Sequence, residues 1–289
     1  MSNSTKSSIL AFTTVFLWSS AFPLTKIATE YIDPNQLGFL RCTIASVILL
    51  IIGKMCSIRF PQTVKHIPLF FLSGGMGFTL YMITFNTGML TLSSAMGSLI
   101  IATTPVLTAM GATFLYRERI KPIGWASIAF AFLGVVILLL WDGGVAYSTG
   151  VWWTCGAAFV FCCYNLLNRK LLSMGYNAIE CVTWSMACGA ILLLPFMGEA
   201  IVQASNSTIS VIAVVVYLGS MPSATAYLLW SKAFSLANKT SEVTNFQFLT
   251  PLISTLLGFI ILFEIPSLST IVGGIIIVTS IVVFGLKGK

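Results

Sequence analysis

Charge is scarce in this sequence: 15 Lys and Arg and 8 Asp and Glu stand among 289 residues. That is 8% of the chain, where a soluble globular domain carries roughly 25%. With 57% hydrophobic residues and a mean hydropathy of +0.97, the shortage excludes an ordinary soluble protein and leaves no room for a soluble catalytic domain. Histidine is limited to His66, and none of the seven cysteines forms a CxxC pair, so a zinc centre has few ligands. The cysteines are read as small, polarizable packing residues. No Walker GxxxxGK motif is present, which argues against direct use of ATP. No cofactor and no metal are expected. The net charge of +7 would point to nucleic acid if it lay on one basic face. Here the basic residues fall in short gaps between apolar runs, and no nucleic-acid partner is expected.

What is abundant is long apolar sequence. A bilayer crossing takes about 20 apolar residues, and ten candidate spans fill the chain: 8–30, 34–56, 67–90, 94–116, 122–141, 149–170, 177–197, 209–231, 241–263 and 266–286. The predicted fold class is therefore an all-α integral membrane protein with ten transmembrane helices. Runs such as Ile123 to Leu140 and Ile271 to Leu286 are too continuous for the alternating strands of a β-barrel. Asp33-Pro34, Lys121-Pro122 and Glu264-Ile265-Pro266 mark helix entrances, because proline in a first turn sacrifices no internal hydrogen bond. Asp142-Gly143-Gly144 breaks the chain at its middle, and Gln203 to Thr208 forms a polar connection. The boundary near Leu90 to Ser94 carries no charge and is the weakest. Lys6 and the apolar run after it read as a first retained helix, since no small-residue cleavage pattern follows.

Basic residues then sort by side. Lys6, Lys54, Arg59, Lys65, Arg117, Arg119, Lys121, Arg169, Lys170, Lys232, Lys239, Lys287 and Lys289 fall on the side of the chain ends, 13 of 15. Only Lys26 and Arg41 fall opposite, inside helix ends. The positive-inside rule accordingly predicts a multi-pass protein of the cytoplasmic membrane with both termini in the cytoplasm. An odd number of spans would destroy this separation.

An internal repeat appears at a shift of 146 residues: Tyr81 falls on Tyr227, Leu90 on Leu236, Ala95 on Ser241, Thr104-Pro105 on Thr250-Pro251, and Glu118 on Glu264. In the first span a shift of 143 brings Lys26 onto Arg169 and SSAF onto CCYN. Five spans per half turn the second half upside down relative to the first. That is the inverted-repeat plan of many secondary transporters, with cargo held near the midplane between halves.

With these residues in place, the chain resembles the EamA-type members of the drug/metabolite transporter superfamily. The first unit, 8–141, carries WSSAFPLTK at Trp18 to Lys26, a helix from Pro34 containing Arg41, and TTPVLTAMGATFLYRE followed by Gly124-Trp125 and Gly134. The second unit, 149–286, is a weaker match: Phe161 and Arg169 are present, the tryptophan is missing, and Trp184 stands where Arg41 would be. The resemblance implies ten helices around a central cavity and efflux or exchange of small metabolites. It also implies that one chain contains the whole pathway, so a monomer suffices.

Moving polar cargo through hydrocarbon calls for aromatic and uncharged hydrogen-bonding groups around a cavity. The candidate cargo-binding residues are Trp18 and Phe22 in the first span, Tyr81 and Asn86 in the third, Tyr164 and Asn165 in the sixth, Tyr227 and Trp230 in the eighth, and Asn245 in the ninth. For the aromatics, anchoring at the interface is the competing role. For the asparagines it is hydrogen bonding across a helix interface. Pro23, Pro105, Pro222 and Pro251 interrupt four helical ladders, and Pro105 with Pro251 are the candidate hinges. Gly74-Gly75 and Gly77 allow close packing or bending in span three. Lys26 and Arg41 either attract a carboxylate, snorkel, or pair with Glu30 or Asp33. Glu118, Glu180 and Glu264 are expected near water at helix ends.

The leading expectation is an exporter of small amphipathic metabolites, such as amino acids or related compounds, touching membrane lipid and small-molecule cargo. Proton-coupled antiport of drugs or metabolites is the alternative, weakened because no carboxylate sits at mid-membrane. A membrane enzyme is disfavoured by the lone histidine. A scaffold would not need polar groups in corresponding spans.

Overall fold

The computed structural model describes residues 3–61, 63–116, 120–141, 149–236 and 245–287. The expected mid-chain break at Asp142-Gly143-Gly144 lies outside the described residues, as do Arg117, Glu118, Arg119, Lys239, Ser241 and Lys289. Among the described residues the protein is entirely helical: α1 Asn3–Thr29, α2 Pro34–Met55, α3 Ile67–Gly74, α4 Tyr81–Met89, α5 Ser94–Ile101, α6 Thr104–Tyr116, α7 Pro122–Leu140, α8 Thr149–Ser173, α9 Ala178–Leu192, α10 Met197–Asn206, α11 Ile209–Leu218, α12 Ala226–Leu236, α13 Thr250–Leu262 and α14 Leu268–Lys287.

Six helical stretches are long and apolar enough to cross a bilayer. A seventh is a bent pair, Ala178–Leu192 with Leu194–Asn206, and three shorter apolar helices are Pro122–Gly134, Thr250–Leu262 and Leu268–Phe284. The protein is thus a multi-pass membrane protein. Large side chains left outside the bundle, among them Phe114, Phe130, Trp152, Leu256 and Ile275, suit contact with lipid rather than water.

Local chemistry explains the boundaries. Pro34 and Pro122 open α2 and α7 as expected, whereas α14 starts at Leu268, two residues beyond Pro266. Ser93 accepts from the Met96 amide and starts α5, which resolves the uncharged boundary after Leu90. Asn177 and Glu180 form a reciprocal capping box at α9. Span seven departs from expectation. It bends by 50° after α9 at a 3₁₀ turn, Leu194–Phe196, which contains Pro195 and so lacks one donor.

Spans three and eight carry π-helical turns, Gly75–Leu80 between α3 and α4 and Gly219–Thr225 between α11 and α12. Small residues let the neighbouring helices approach there. A Cβ on Gly74 would stand 2.3 Å from the Ser185 carbonyl oxygen of α9, and one on Gly77 would stand 2.2 Å from the Tyr164 ring.

Contacts between distant segments fix which helix ends share a face. Lys26, near the end of α1, pairs with Glu264, just before α14, and Glu264 also accepts from the Ser94 amide at the start of α5. At the other end, Ser7 donates to the Ala233 carbonyl late in α12. The start of α1 and the end of α12 therefore lie together, at the end of α1 opposite the Lys26–Glu264 pair.

Candidate functional site

The centre of the bundle is aromatic. Trp18 of α1 meets Tyr227 and Trp230 of α12 with ring centroids 5.3 and 5.0 Å apart. Phe161 of α8 joins them, 6.4 Å from Trp18 and 5.0 Å from Tyr81. Tyr81 stacks on Phe85, which meets Phe22 edge to face at 5.2 Å. Tyr164 is buried behind this layer, 5.2 Å from Phe78 and 6.2 Å from Tyr227. Such pairs add modest directional attraction to the large area each ring buries.

Within this cluster lies a cavity of ≈ 50 Å³, lined by Trp18, Phe22, Arg41, Tyr81, Phe161, Pro222, Tyr227, Gln247 and Thr250 among others. The backbone around it is irregular in a patterned way. Tyr81 and Tyr227 each follow a π-helical turn directly or by one residue. Within the second turn the Pro222 carbonyl accepts from the Trp18 indole at 3.1 Å. Thr104-Pro105 and Thr250-Pro251 each open a new helix after an interruption, a turn at Ala102–Thr103 in one case and a 3₁₀ segment, Asn245–Leu249, in the other. Irregular backbone at membrane depth persists where it is enclosed in protein or faces a cavity.

Four predicted site residues, Trp18, Phe22, Tyr81 and Tyr227, line the cavity directly. Trp230 and Tyr164 pack in the ring cluster behind them. The asparagines stand apart. Asn86 is fully buried and already engaged, accepting from Arg41 at 3.2 Å and donating to the Pro34 carbonyl at 3.0 Å. Asn165 donates to Thr108 at 3.4 Å across the α6–α8 interface. Asn245 begins the 3₁₀ segment, and its side chain is outside the described part.

Arg41 is the residue whose position the sequence placed least well. Instead of snorkelling from a helix end, it is buried, with 3% exposure, and lines the cavity. Its Nη1 donates to Thr25 and Asn86 and its Nη2 to Ser223, all neutral acceptors, while Nε has no partner. Among the described residues no carboxylate pairs with it. Lys26, by contrast, finds Glu264 rather than Glu30 or Asp33. Asp33 exchanges hydrogen bonds with Gln203.

Glu180 corrects a second expectation. Rather than sitting in water it is 1% exposed, held by its capping box and by Arg59, whose Nε lies 3.1 Å from Oε1. That hydrogen bond and the charge behind it push the Arg59 pKa further above its ordinary value. The two π-helical turns have no distinctive sequence signature: Gly75, Gly77 and Pro222 lie within them and by themselves indicate only close packing or bending. Among the described residues no three of His, Cys, Asp and Glu converge to hold a metal ion.

Comparison with known proteins adds a family. The model of the EamA-like transporter family matches residues 5–140 and again 148–286. The chain is 30% identical over 272 residues to the uncharacterized transporter YdfC of Bacillus subtilis, covering 94% of this chain and 88% of that one. It is 28% identical over 261 residues to a probable terminal-alkyne amino-acid exporter of Streptantibioticus cattleyicolor, covering 90% and 87%. A crystal structure 20% identical in sequence superimposes over 96% of both chains with a TM-score of 0.65, a likeness of fold.

Proposed function

Because the chain belongs to the EamA-like transporter family, we propose that it exports small amphipathic metabolites, amino acids or related compounds, across the cytoplasmic membrane by alternating access. A transporter of this family moves its cargo unchanged, and the protein is not an enzyme. The observation that carries the reading is the central cavity, to which Trp18, Phe22, Arg41 and Tyr81 contribute from 8–141, and Phe161, Tyr227 and Thr250 from 149–286. The rings of Trp18, Phe22, Phe85 and Phe161 on its wall suit an apolar cargo body, while Arg41, Gln247 and the tyrosines suit a polar end. Ligand pockets commonly offer about 300–1,000 Å³. A cavity of ≈ 50 Å³ is too small for a metabolite, and admitting one requires the walls to part.

The architecture behind this reading is ten spans in two inverted five-helix units. Counting the bent pair once and each shorter apolar helix as a crossing brings the spans to ten. The two π-helical turns support the repeat, because they precede Tyr81 and Tyr227, which the sequence shift superimposes. Inversion is supported by direction. The span containing Tyr81 ends close to the start of α5, on the Lys26–Glu264 face, and the span containing Tyr227 ends by Ser7 on the opposite face. The concentration of basic residues on the side of the chain ends supports a cytoplasmic location for that face. An amino-acid-like cargo is in keeping with the name of the Streptantibioticus relative. The cavity is lined from within one chain, which supports a monomer as the transporting unit.

The test is counterflow. Purified protein in liposomes, loaded with a mixed amino-acid and metabolite pool, should exchange specific members of that pool without a pH gradient. No movement of any member would overturn transport of this class. Uphill movement driven by a pH gradient alone would replace facilitated export or exchange with proton-coupled antiport. Among the described residues no Asp, Glu or His lines the cavity, which favours the uncoupled form.

A further inference from the structure

We propose that Arg41 is the recognition site for a carboxylate on the cargo, so that the transported class is carboxylates with an apolar body. The inference deepens the transport reading and rests on it. A guanidinium is always protonated, and burying an ion without a counter-ion costs several kcal/mol. Arg41 is buried, faces the cavity, and among the described residues bonds only to Thr25, Asn86 and Ser223. Those neutral oxygens orient the fork without cancelling its charge. Nε is left unpartnered. A purely structural role across the α1, α2, α4 and α12 region would be served by a neutral amide at lower cost. Retaining the charge is explained by an anion that arrives with the cargo.

The rest of the wall limits which anion. Trp18, Tyr81, Phe161 and Tyr227 line the same cavity as Arg41. A small, highly hydrated anion such as phosphate would lose its water there without replacement. A planar carboxylate matches the guanidinium fork in bidentate geometry, and an attached hydrocarbon or aromatic body fits the rings. Among the described residues no acidic side chain lines the cavity to pair with an ammonium group, so an amino group on the cargo is tolerated against the rings rather than required.

The experiment uses the reconstituted full chain and competition for counterflow of the mixed pool. The probes are leucine, N-acetyl-leucine, which keeps the carboxylate and loses the ammonium, and leucinamide, which does the reverse. The same three are added to detergent-purified protein while thermal unfolding is followed. We expect the two carboxylates to compete at least about tenfold better than leucinamide, the scale of one charge-assisted hydrogen bond, and to raise the melting temperature where leucinamide does not. Arg41→Gln should erase that difference, and Arg41→Lys should keep part of it. Because Arg41→Gln also loses bonds that join helices, the wild-type comparison stands by itself if the variant fails to fold. Counterflow of the pool that leucinamide inhibits as well as the acids do, or that none of the three affects, overturns the carboxylate site while leaving transport intact. Absence of counterflow for every pool member overturns both.

Discussion

The carboxylate of Glu264 holds Lys26 across 238 residues of chain while its second oxygen accepts from the Ser94 amide at 2.7 Å. One side chain thus joins the end of α1, the start of α5 and the turn before α14, at the end of α1 opposite Ser7. The turn that aims it inward is unusual. Phe263 adopts φ 56° and ψ 29°, a left-handed conformation that terminates α13, and the Glu264 amide donates back to the Gly258 carbonyl at 3.2 Å. If transport proceeds by alternating access, this junction must separate when the cavity opens on that face.

Breaking the junction should therefore favour opening on that face. Lys26 and Glu264 are 28% and 17% exposed, so their pair is worth about 1 kcal/mol, or about fivefold in the balance of closed and open forms. Lys26→Met and Glu264→Gln should raise labelling of a cysteine placed at Ala21 from that face by roughly this factor. Glu264→Ala, which also abandons the Ser94 amide, should raise it further. Labelling unchanged in all three variants would remove the gate role.

Pro105 and Pro251 sit in the first turns of α6 and α13, where proline costs a helix nothing. Alanine at either position should alter stability by no more than about 0.5 kcal/mol. If the interruptions before them are hinges, both variants should nonetheless slow counterflow and change accessibility of the cavity. Unchanged transport and accessibility in both variants would sink the hinge.

Gly77→Ala and Gly75→Ala separate close packing from flexibility within one π-helical turn. A Cβ at Gly77 would collide with the Tyr164 ring, whereas one at Gly75 would meet only the tip of Leu192 at 3.3 Å. Gly77→Ala should lose about 1–3 kcal/mol of stability through overpacking and weaken transport by displacing Tyr164. Gly75→Ala should be milder. Melting temperatures in detergent, with counterflow rates, provide the comparison, and equal effects would refute the packing account.

Trp18→Phe keeps a ring beside Tyr227 and Trp230 but removes the donor to the Pro222 carbonyl. The expected cost is about 1 kcal/mol. Trp18→Ala, which deletes the ring as well, should cost about 3–5 kcal/mol. Chemical denaturation of the two variants would show whether the indole N–H or the ring area holds α1 against the π-helical turn.

The sequence by itself determined what depends on solvent and period: a helical membrane protein, most span boundaries, and the aromatic character of the spans carrying Trp18, Tyr81, Phe161 and Tyr227. Those features follow from one-dimensional quantities, because hydrocarbon rewards any sufficiently long apolar helix and proline acts on its own turn. Only the tertiary structure decided partnership. Asn86 and Arg41 lie 45 residues apart and Arg41 and Ser223 lie 182 apart, and no spacing rule brings them together. Lys26 had Glu30 and Asp33 nearby in sequence, yet its helix end faces the turn carrying Glu264. Which polar group is satisfied and which is left open to a cavity depends on how helices pack, and that packing rests on distant small residues and backbone irregularities such as the two π-helical turns.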